Sequence, residues 1–222
     1  MDKTDIAVWS YARTSSTRCK EKMIRPFSDT SLTDIILKKL SNIDANVFFA
    51  GYESIFKEKC QLNSVPFIQR TKESAENNDS QAQICNFLYD QPYEYFLLVN
   101  ACLPFLKTES ISKFLDICAE DDKPKFAVLS KKNYFTDANG KPYNFDYDVV
   151  LDTKKVSPVN EFAHTFYFFK KSYFVEHGRF WDWKDVRYIE IDDNIEVFDI
   201  DTEDQFKTAE AIWSGLNFGG KK

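Results

Sequence analysis

The chain has 222 residues, of which 43% are hydrophobic and 16% aromatic, so a disordered chain is excluded and one α/β domain with a proper core is expected. Its 35 acidic and 29 basic residues give a formal net charge of −6. That balance excludes a protein that binds nucleic acid through a broad basic surface, because such binding depends on many exposed cations. A local cluster of cations remains compatible with a phosphate-binding pocket.

Five cysteines occur without a CxxC pair and mostly inside apolar runs. We therefore expect reduced core residues and neither a disulfide framework nor a zinc site. The N-terminal residues lack the pattern of a signal peptide, and no apolar run reaches the length of a membrane span. The expectation is a cytoplasmic protein with no membrane or nucleic-acid partner.

Strand-like and helix-like segments alternate through the first 130 residues. The predicted strands are Ile6–Ser10, Val47–Ala50, Val65–Ile68, Tyr95–Asn100 and Phe126–Ser130. The predicted helices are Ser31–Leu40, Glu53–Lys59, Ser80–Tyr89 and Thr108–Ala119, the last beginning at a Ser/Thr cap. This alternation predicts βαβ units and hence a three-layer α/β/α, Rossmann-like fold with a mainly parallel sheet. Ligands of such sheets bind outside the carboxyl ends of the strands.

The alternation stops at about Asn133, and Asn139-Gly140 between aromatic flanks then predicts a hairpin. Three further elements are predicted: a buried strand at Thr165–Phe169, a final strand at Glu196–Ile200 and a closing helix at Thr202–Trp213. We interpret segment 131–162 as an insertion arm within a single domain spanning 1–222. The tail 219–222 is expected to be frayed.

A polar loop from Ala12 to Pro26 follows the first predicted strand and holds five cations and four hydroxyls in fifteen residues. Guanidinium, ammonium, hydroxyl and loop amide groups together suit a polyphosphate ligand. The loop is neither a GxxxxGK[ST] phosphate loop nor a GxGxxG turn. A solvated basic loop is the alternative interpretation.

Asp199 and Asp201 alternate at the end of the predicted last strand, so their side chains should project from the same face. Two carboxylates meeting there are suited to Mg²⁺, which completes its shell with water and substrate phosphate. Helix capping is the competing explanation, because Thr202 and Gln205 fit a capping box and acids favour a helix N-terminus. Capping does not explain Asp199.

Three runs, taken in order along the chain, resemble the acylneuraminate cytidylyltransferases, which are the CMP-sialic acid synthetases and relatives acting on other acidic sugars. These runs are Ala12-Arg13-x-x-Ser16 with Lys22, Val99-Asn100-Ala101-Cys102-Leu103-Pro104-Phe105, and Asp199-Ile200-Asp201-Thr202 with Phe206 and Ala209-Glu210. Ser16-Thr17-Arg18 and Arg25-Pro26 look closer to the spore-coat polysaccharide cytidylyltransferase branch. The resemblance extends from Ile6 to Trp213.

The resemblance implies a Mg²⁺-dependent enzyme that transfers CMP from CTP to an acidic sugar, releases pyrophosphate and serves cell-surface glycan synthesis. The residues that it implies are Arg13, Lys22 and Asp201 for catalysis, Ala12, Arg13, Ser15, Ser16 and Lys22 for the nucleotide, Arg70 for the cytosine base, and Asp199 with Asp201 for Mg²⁺. Asn100, which takes the place of a family glutamine, is expected near the acceptor sugar. Lys107 and His164 are further candidates for acceptor binding.

The acceptor is expected to be anionic, because Lys107, Lys131, Lys132 and Lys141 lie at or after the relevant strand ends. The arm is expected to form a homodimer, since an aromatic stretch outside the alternating core is typical of an interface. That stretch contains Tyr134, Phe135, Tyr143, Phe145 and Tyr147.

Two alternatives stay open. Cys19-Lys20 stands where the family commonly has Leu-Pro, and Met23 stands where it has Asn, which leaves room for a non-catalytic nucleotide-binding relative. The other alternative is a glycosyltransferase that holds a sugar nucleotide through Asp199-x-Asp201. Such an acidic pair would normally follow a central strand and not the last one.

Overall fold

Seven strands form one sheet in the computed structural model of the protein, which describes residues 1–148 and 152–218. The strand order is β3-β2-β1-β4-β6-β5-β7. The strands are β1 (Ile6–Tyr11), β2 (Asn46–Gly51), β3 (Phe67–Gln69), β4 (Tyr95–Val99), β5 (Lys125–Lys131), β6 (Val159–Lys170) and β7 (Arg187–Glu190). Only β6 runs against its neighbours β4 and β5, so the sheet is mainly parallel as predicted.

Helices cover both faces of the sheet. They are α1 (Leu32–Leu40), α2 (Ser54–Leu62), α3 (Lys72–Glu76), α4 (Gln81–Ile84), α5 (Thr108–Glu120), α6 (Lys171–His177) and α7 (Glu203–Phe218). Apolar residues of α1, α2, α5 and α7 pack in one core, and those of α6 and the segment around α4 pack in a second core. The expected three-layer α/β/α architecture is therefore confirmed.

The two cores follow from the side-chain alternation of the strands. In β1, Ile6 and Val8 belong to the first core, whereas Ala7 and Trp9 belong to the second. Because both faces are buried, the strand reads as a continuous apolar run, which is typical of a parallel strand between helix layers. All four residues are fully buried.

The chain reverses its direction of travel across the sheet between β1 and β4. From β1 it moves outward to β2 and β3, and it then crosses back to β4, which pairs with the other edge of β1. The loops after β1 and β4 therefore leave in opposite directions, which opens a crevice at the carboxyl ends of these two strands.

The predicted strand Glu196–Ile200 is wrong, because residues 194–197 form a turn. The Asp193 carboxylate accepts the Ile195 amide at 3.1 Å, and the Asp193 carbonyl accepts the Glu196 amide at 3.1 Å. The alternating apolar pattern imitates a strand, while the Asp193 contacts stabilise a turn. The last strand is instead β7, which pairs with β5.

Two predicted helices also differ from the structure. The predicted helix Ser80–Tyr89 is interrupted at Cys85 and splits into α4 and a 3-10 turn at Asn86–Leu88. The predicted Ser/Thr cap of α5 is absent, since its N-cap is Lys107. The buried Glu196 carboxylate accepts the Lys107 amide at 3.1 Å, so an acid from a distant turn lies at this helix terminus.

The predicted hairpin of the arm is confirmed by a bridge between Thr136 and Pro142, with Gly140 at a φ of 82°. The end of the predicted arm, 159–162, belongs to β6. Residues 149–151 of the arm and the tail 219–222 lie outside the described residues. Within the described ranges, no helix combines the length and apolar character that crossing a bilayer requires.

Candidate active site

A cavity of about 320 Å³ opens at the carboxyl ends of β1 and β4, where the parallel topology predicts a ligand site. It is called the first cavity below. Its polar lining consists of Arg13, Ser16, Thr17, Arg18, Lys22, Gln81 and Asn100, and its other lining residues are Tyr11, Ala12, Met23, Ile84, Cys85, Leu98, Val99, Ala101, Cys102, Tyr167 and Phe180.

The basic loop is joined to the acidic segment near the end of the chain by two cations. The Lys22 ammonium donates to the Ile200 carbonyl and lies 3.3 Å from the Asp201 carboxylate. Arg18 lies 3.0 Å from the same Asp201 oxygen. Burial lowers the pKa of Lys22, but Cys102, Asp201 and Asp199 outweigh that effect and raise its pKa overall. The site therefore contains a charged lysine facing two carboxyl groups.

Asp199 lies deeper than Asp201. One of its carboxylate oxygens accepts a hydrogen bond from Asn100 at 3.1 Å, while the other, Oδ1, is buried without a partner among the described residues. Burial and the neighbouring charge of Asp201 raise the pKa of Asp199. A buried carboxylate oxygen without a donor is costly, and such an atom is suited to a cation.

Further contacts hold the two ends of the basic loop. The Thr14 amide and hydroxyl both donate to Glu53, which follows β2. At the other end, Arg25 forms two hydrogen bonds with Glu203, at 2.9 and 3.1 Å, and its guanidinium lies 3.6 Å from the Phe206 ring centre. Both ends of the loop are thus held by side-chain contacts, while Ser15, Arg18 and Lys20 between them are exposed, so the alternative of a solvated basic loop stays open.

The structure brings five of the predicted site residues together in the lining of the first cavity: Ala12, Arg13, Ser16, Lys22 and Asn100. Arg13 donates to Asn78 at 2.6 Å and to the Ala75 carbonyl at 3.3 Å. Asp201 joins this group through Lys22. Ser15 is exposed and does not line the cavity.

Arg70 does not line the first cavity either, and it is only 2% exposed. Its guanidinium donates to the Ser74 hydroxyl and carbonyl, at 3.0 and 2.6 Å, and to the carbonyls of Ala12 and Ile84, at 3.3 and 3.2 Å. Four of its five N–H donors are therefore occupied. This arrangement does not favour the base contact that the resemblance implies.

The two remaining acceptor candidates lie outside the first cavity. Lys107 is bound to Asp193 at 2.8 Å and to Glu196 at 3.1 Å. His164 lines a second cavity of about 360 Å³, which also has Asp199, Lys131 and Glu161 in its wall. Asp199 therefore contacts the second cavity directly and, through Asn100, the wall of the first.

His164 has a backbone φ of 51°, which is uncommon for a residue other than glycine. It lies where the β5–β6 pairing register shifts, and its Nδ1 lies 2.9 Å from the Tyr167 hydroxyl. Tyr167 lines the first cavity, so this pair also connects the two cavities.

Sequence reasoning missed several residues of this site. Arg18 was counted among the loop cations, but nothing in its spacing indicates that it pairs with Asp201. The contributions of Gln81, Tyr167 and Phe180 depend on tertiary contacts, and no local pattern signals them. Cys19, Cys60, Cys85 and Cys118 are buried, as predicted for core residues, whereas Cys102 is half-buried and lines the first cavity.

With this geometry in hand, comparison with protein families identifies the class. Residues 11–208 match the family described as "Cytidylyltransferase". The chain therefore belongs to the cytidylyltransferase family, which places it among the nucleotidyltransferases. The narrower likeness to the acylneuraminate and spore-coat branches stays a prediction. Among curated proteins, no relative matches the sequence significantly.

Solved structures share the fold. The chain is similar to a CMP:2-keto-3-deoxy-manno-octonic acid synthetase complexed with CTP, at a TM-score of 0.68 and 8% identity, covering 95% of this chain and 99% of that one. It is also similar to a 4-diphosphocytidyl-2C-methyl-D-erythritol synthase from Anaerococcus prevotii, at a TM-score of 0.65 and 14% identity, covering 96% and 100%. A cytidylyltransferase from Leptospira borgpetersenii has a TM-score of 0.60 and 13% identity, covering 95% and 87%.

The half-buried Asp199 carboxylate should destabilise the metal-free protein at neutral pH. Because its folded-state pKa is raised, ionisation favours the unfolded state, and stability is lost as the pH rises from about 4 through that folded pKa. We expect Asp199→Asn to gain free energy of unfolding over the wild type at pH 7 and to lose this advantage near pH 4. Urea denaturation with a chelator present measures it.

The exposed Asp192 provides a control, since Asp192→Asn changes the net charge equally. A pH-independent difference between Asp199→Asn and the wild type would contradict this interpretation of Asp199.

Proposed function

We propose that this chain transfers the cytidylyl group of CTP to a hydroxyl of an acidic sugar in a Mg²⁺-dependent reaction that releases pyrophosphate. The observation that carries the proposal is the juxtaposition of a cationic loop with two carboxyl groups of unequal environment, at the crevice of the sheet. Family membership supports the choice of CTP.

The triphosphate would bind to the basic loop. Arg13, Arg18 and Lys22 supply cationic donors to the first cavity, and Ser16 and Thr17 supply hydroxyls. Arg18 has 69% of its side chain exposed, and among the described residues its guanidinium pairs with Asp201 alone, so it can move to a phosphate at little cost. Lys22 is more enclosed, and its bond to the Ile200 carbonyl keeps it at the crevice.

The two aspartates fit a Mg²⁺ ion. Asp199 offers a buried oxygen without a donor, and Asp201 offers an oxygen now shared by two cations. Among the described residues no group of three or more His, Cys, Asp and Glu converges, which agrees with an ion that takes its other ligands from water and phosphate. When bound, Mg²⁺ would neutralise charge on the phosphates.

The reaction needs no covalent enzyme intermediate. The acceptor oxygen forms a bond to the α-phosphorus, the bond from that phosphorus to the oxygen bridging to the β-phosphate breaks, and pyrophosphate leaves with the electron pair. The hydroxyl proton passes to solvent. The loop cations act by positioning the triphosphate and by stabilising charge that develops on the leaving group.

The second cavity is the proposed acceptor site, because Asp199 and His164 both line it. Lys131 lines it too and pairs with Glu161 at 3.4 Å. Both side chains are partly exposed, so the carboxylate of an acidic sugar can replace Glu161 as the partner of Lys131. Lys107 already faces two acids, so Lys131 is the better candidate for that contact.

Pyrophosphate release, measured with each of four nucleoside triphosphates and a panel of acceptors, tests the function. We expect turnover with CTP and Mg²⁺ together with a 2-keto-3-deoxy sugar acid, and none with a neutral sugar. Lys131→Gln should raise the KM of the acid acceptor with little effect on kcat, whereas Lys132→Gln, outside the second cavity, should match the wild type.

Each other outcome has a distinct meaning. Turnover with a neutral sugar alone would overturn the acidic acceptor and keep cytidylyl transfer. Binding of CTP without turnover on any acceptor would favour a non-catalytic relative, and consumption of a sugar nucleotide without pyrophosphate would indicate a glycosyltransferase.

We also propose that the chain acts as a homodimer through the arm. Tyr134, Phe145 and Tyr147 cluster in the arm, and Tyr143 and Tyr147 remain 73% and 69% exposed. Exposed aromatic rings of this size favour an interface. Light scattering should report twice the 26.0 kDa chain mass, and Tyr143→Ser with Tyr147→Ser should shift it toward one chain. A wild-type monomer at micromolar concentration would contradict the dimer.

A further inference from the structure

The first cavity has an apolar part suited to a planar ring. Tyr11, Ile84, Leu98, Tyr167 and Phe180 line it, and the rings of Tyr167 and Phe180 lie 6.0 Å apart. A nucleotide base can pack its faces on such side chains, but its identity must be read by polar groups at its edge. The side chain that recognises the base edge is inferred below, and this inference rests on the proposed use of CTP.

Arg70 is the residue that sequence resemblance favours, but its contacts give it another role. Its guanidinium is buried and donates to the main-chain oxygens of Ala12, Ser74 and Ile84. These bonds join the start of the basic loop, α3 and the end of α4. Arg70 is therefore a positioning residue, which fixes the elements around the base and leaves the reading to another group.

Gln81 is the polar side chain that α4 contributes to the first cavity. Its amide oxygen accepts the Phe180 backbone N–H at 3.3 Å. Because a backbone N–H can only donate, this contact orients the oxygen toward Phe180 and turns the NH₂ group away from it. Gln81 is exposed at the mouth of the first cavity, and no protein acceptor for that NH₂ group is found within the described part of the chain, so the group is free to meet a ligand.

We propose that Gln81 reads the edge of the pyrimidine and makes the enzyme select CTP over UTP. Cytosine presents two acceptors in a row, O2 and the unprotonated N3, and an amide NH₂ can donate to them. Uracil keeps O2 as an acceptor but carries a proton on N3, so the Gln81 N–H opposite N3 and the uracil N3–H would face each other without an acceptor. A bound base covers this amide and removes its water, so the donor that a uracil leaves unmatched carries a cost that cytosine avoids.

The test reverses the polarity of this group. Gln81→Glu replaces the NH₂ donor with a carboxylate oxygen, which accepts the N3–H of uracil and repels the N3 lone pair of cytosine. Its negative charge weakens the binding of both nucleotides, so the ratio of the two dissociation constants is the informative quantity. We expect calorimetric titration to show the CTP over UTP preference of Gln81→Glu reduced by about tenfold or more from that of the wild type.

Gln83 provides the matched control. It lies on the same short helix, its amide accepts from Asn77, and it does not line the first cavity. Gln83→Glu should therefore keep the wild-type preference, and Gln81→Ala should reduce the preference by less than Gln81→Glu does. If Gln81 had only a structural role, Gln81→Glu would weaken the binding of CTP and the binding of UTP by the same factor.

An unchanged CTP to UTP ratio in Gln81→Glu would overturn this inference while the proposed function stands. A wild-type protein that binds neither nucleotide would instead overturn the proposed function itself. Circular dichroism confirms that each variant is folded before it is titrated.

Discussion

The Lys22 ammonium is the contact on which the site depends. It brings the loop after the first strand to the segment before the last helix, 178 residues away along the chain, through the Ile200 carbonyl and the Asp201 carboxylate. A partly buried ammonium requires acceptors, because leaving it unpaired would cost far more than the contact returns. The position of Lys22 therefore fixes the position of the segment that carries Asp199 and Asp201.

The positive charges of the basic loop and the negative charges near the last helix compensate each other. The protein is acidic overall, yet its crevice carries a basic loop, and three of the loop cations have acidic partners: Arg18 and Lys22 share Asp201, and Arg25 pairs with Glu203. The Arg25–Glu203 pair fixes the end of the basic loop, since the Arg25 guanidinium also packs on the ring of Phe206. Arg18 is more exposed than Arg25, with 69% against 23% of the side chain accessible, so a polyanion together with a divalent cation can replace the partners in the Arg18–Asp201 pair at small cost.

Local patterns predicted the parts of the fold that local physics determines. The apolar run of β4 and the spacing of Leu32, Ile35 and Ile36 in α1 identify elements whose burial decides their conformation. The parallel topology then locates the crevice at the carboxyl ends of β1 and β4, and residues of the basic loop line the cavity there, as the sequence predicts.

The predictions fail where contacts between residues far apart in the sequence determine the local structure. Glu196 alternates with apolar neighbours as in a strand, but it lies in a turn, where its carboxylate binds the backbone amide and the ammonium of Lys107 at the N-terminus of α5. The same turn gives Lys107 two acidic partners, Asp193 and Glu196. The base contact that the resemblance implies for Arg70 stays a prediction, and Ser74 and Ile84 occupy donors of its guanidinium. No single-sequence pattern contains such partnerships, since each joins segments that meet only in the folded chain.

The balance of charge on Asp201 is tested most directly by titrating CTP into the wild type and into Asp201→Asn, once with Mg²⁺ and once with a chelator. With Mg²⁺, Asp201→Asn should bind CTP more weakly; with the chelator it should bind more tightly, since the substitution removes a repelling charge and frees Arg18 and Lys22. We expect the ratio of the CTP dissociation constants of Asp201→Asn and the wild type to change by at least about fivefold between the two conditions. Asp204 is an exposed neighbour, and Asp204→Asn should bind CTP like the wild type in both conditions. A change in the same direction with and without the metal would contradict the exchange of partners at Asp201.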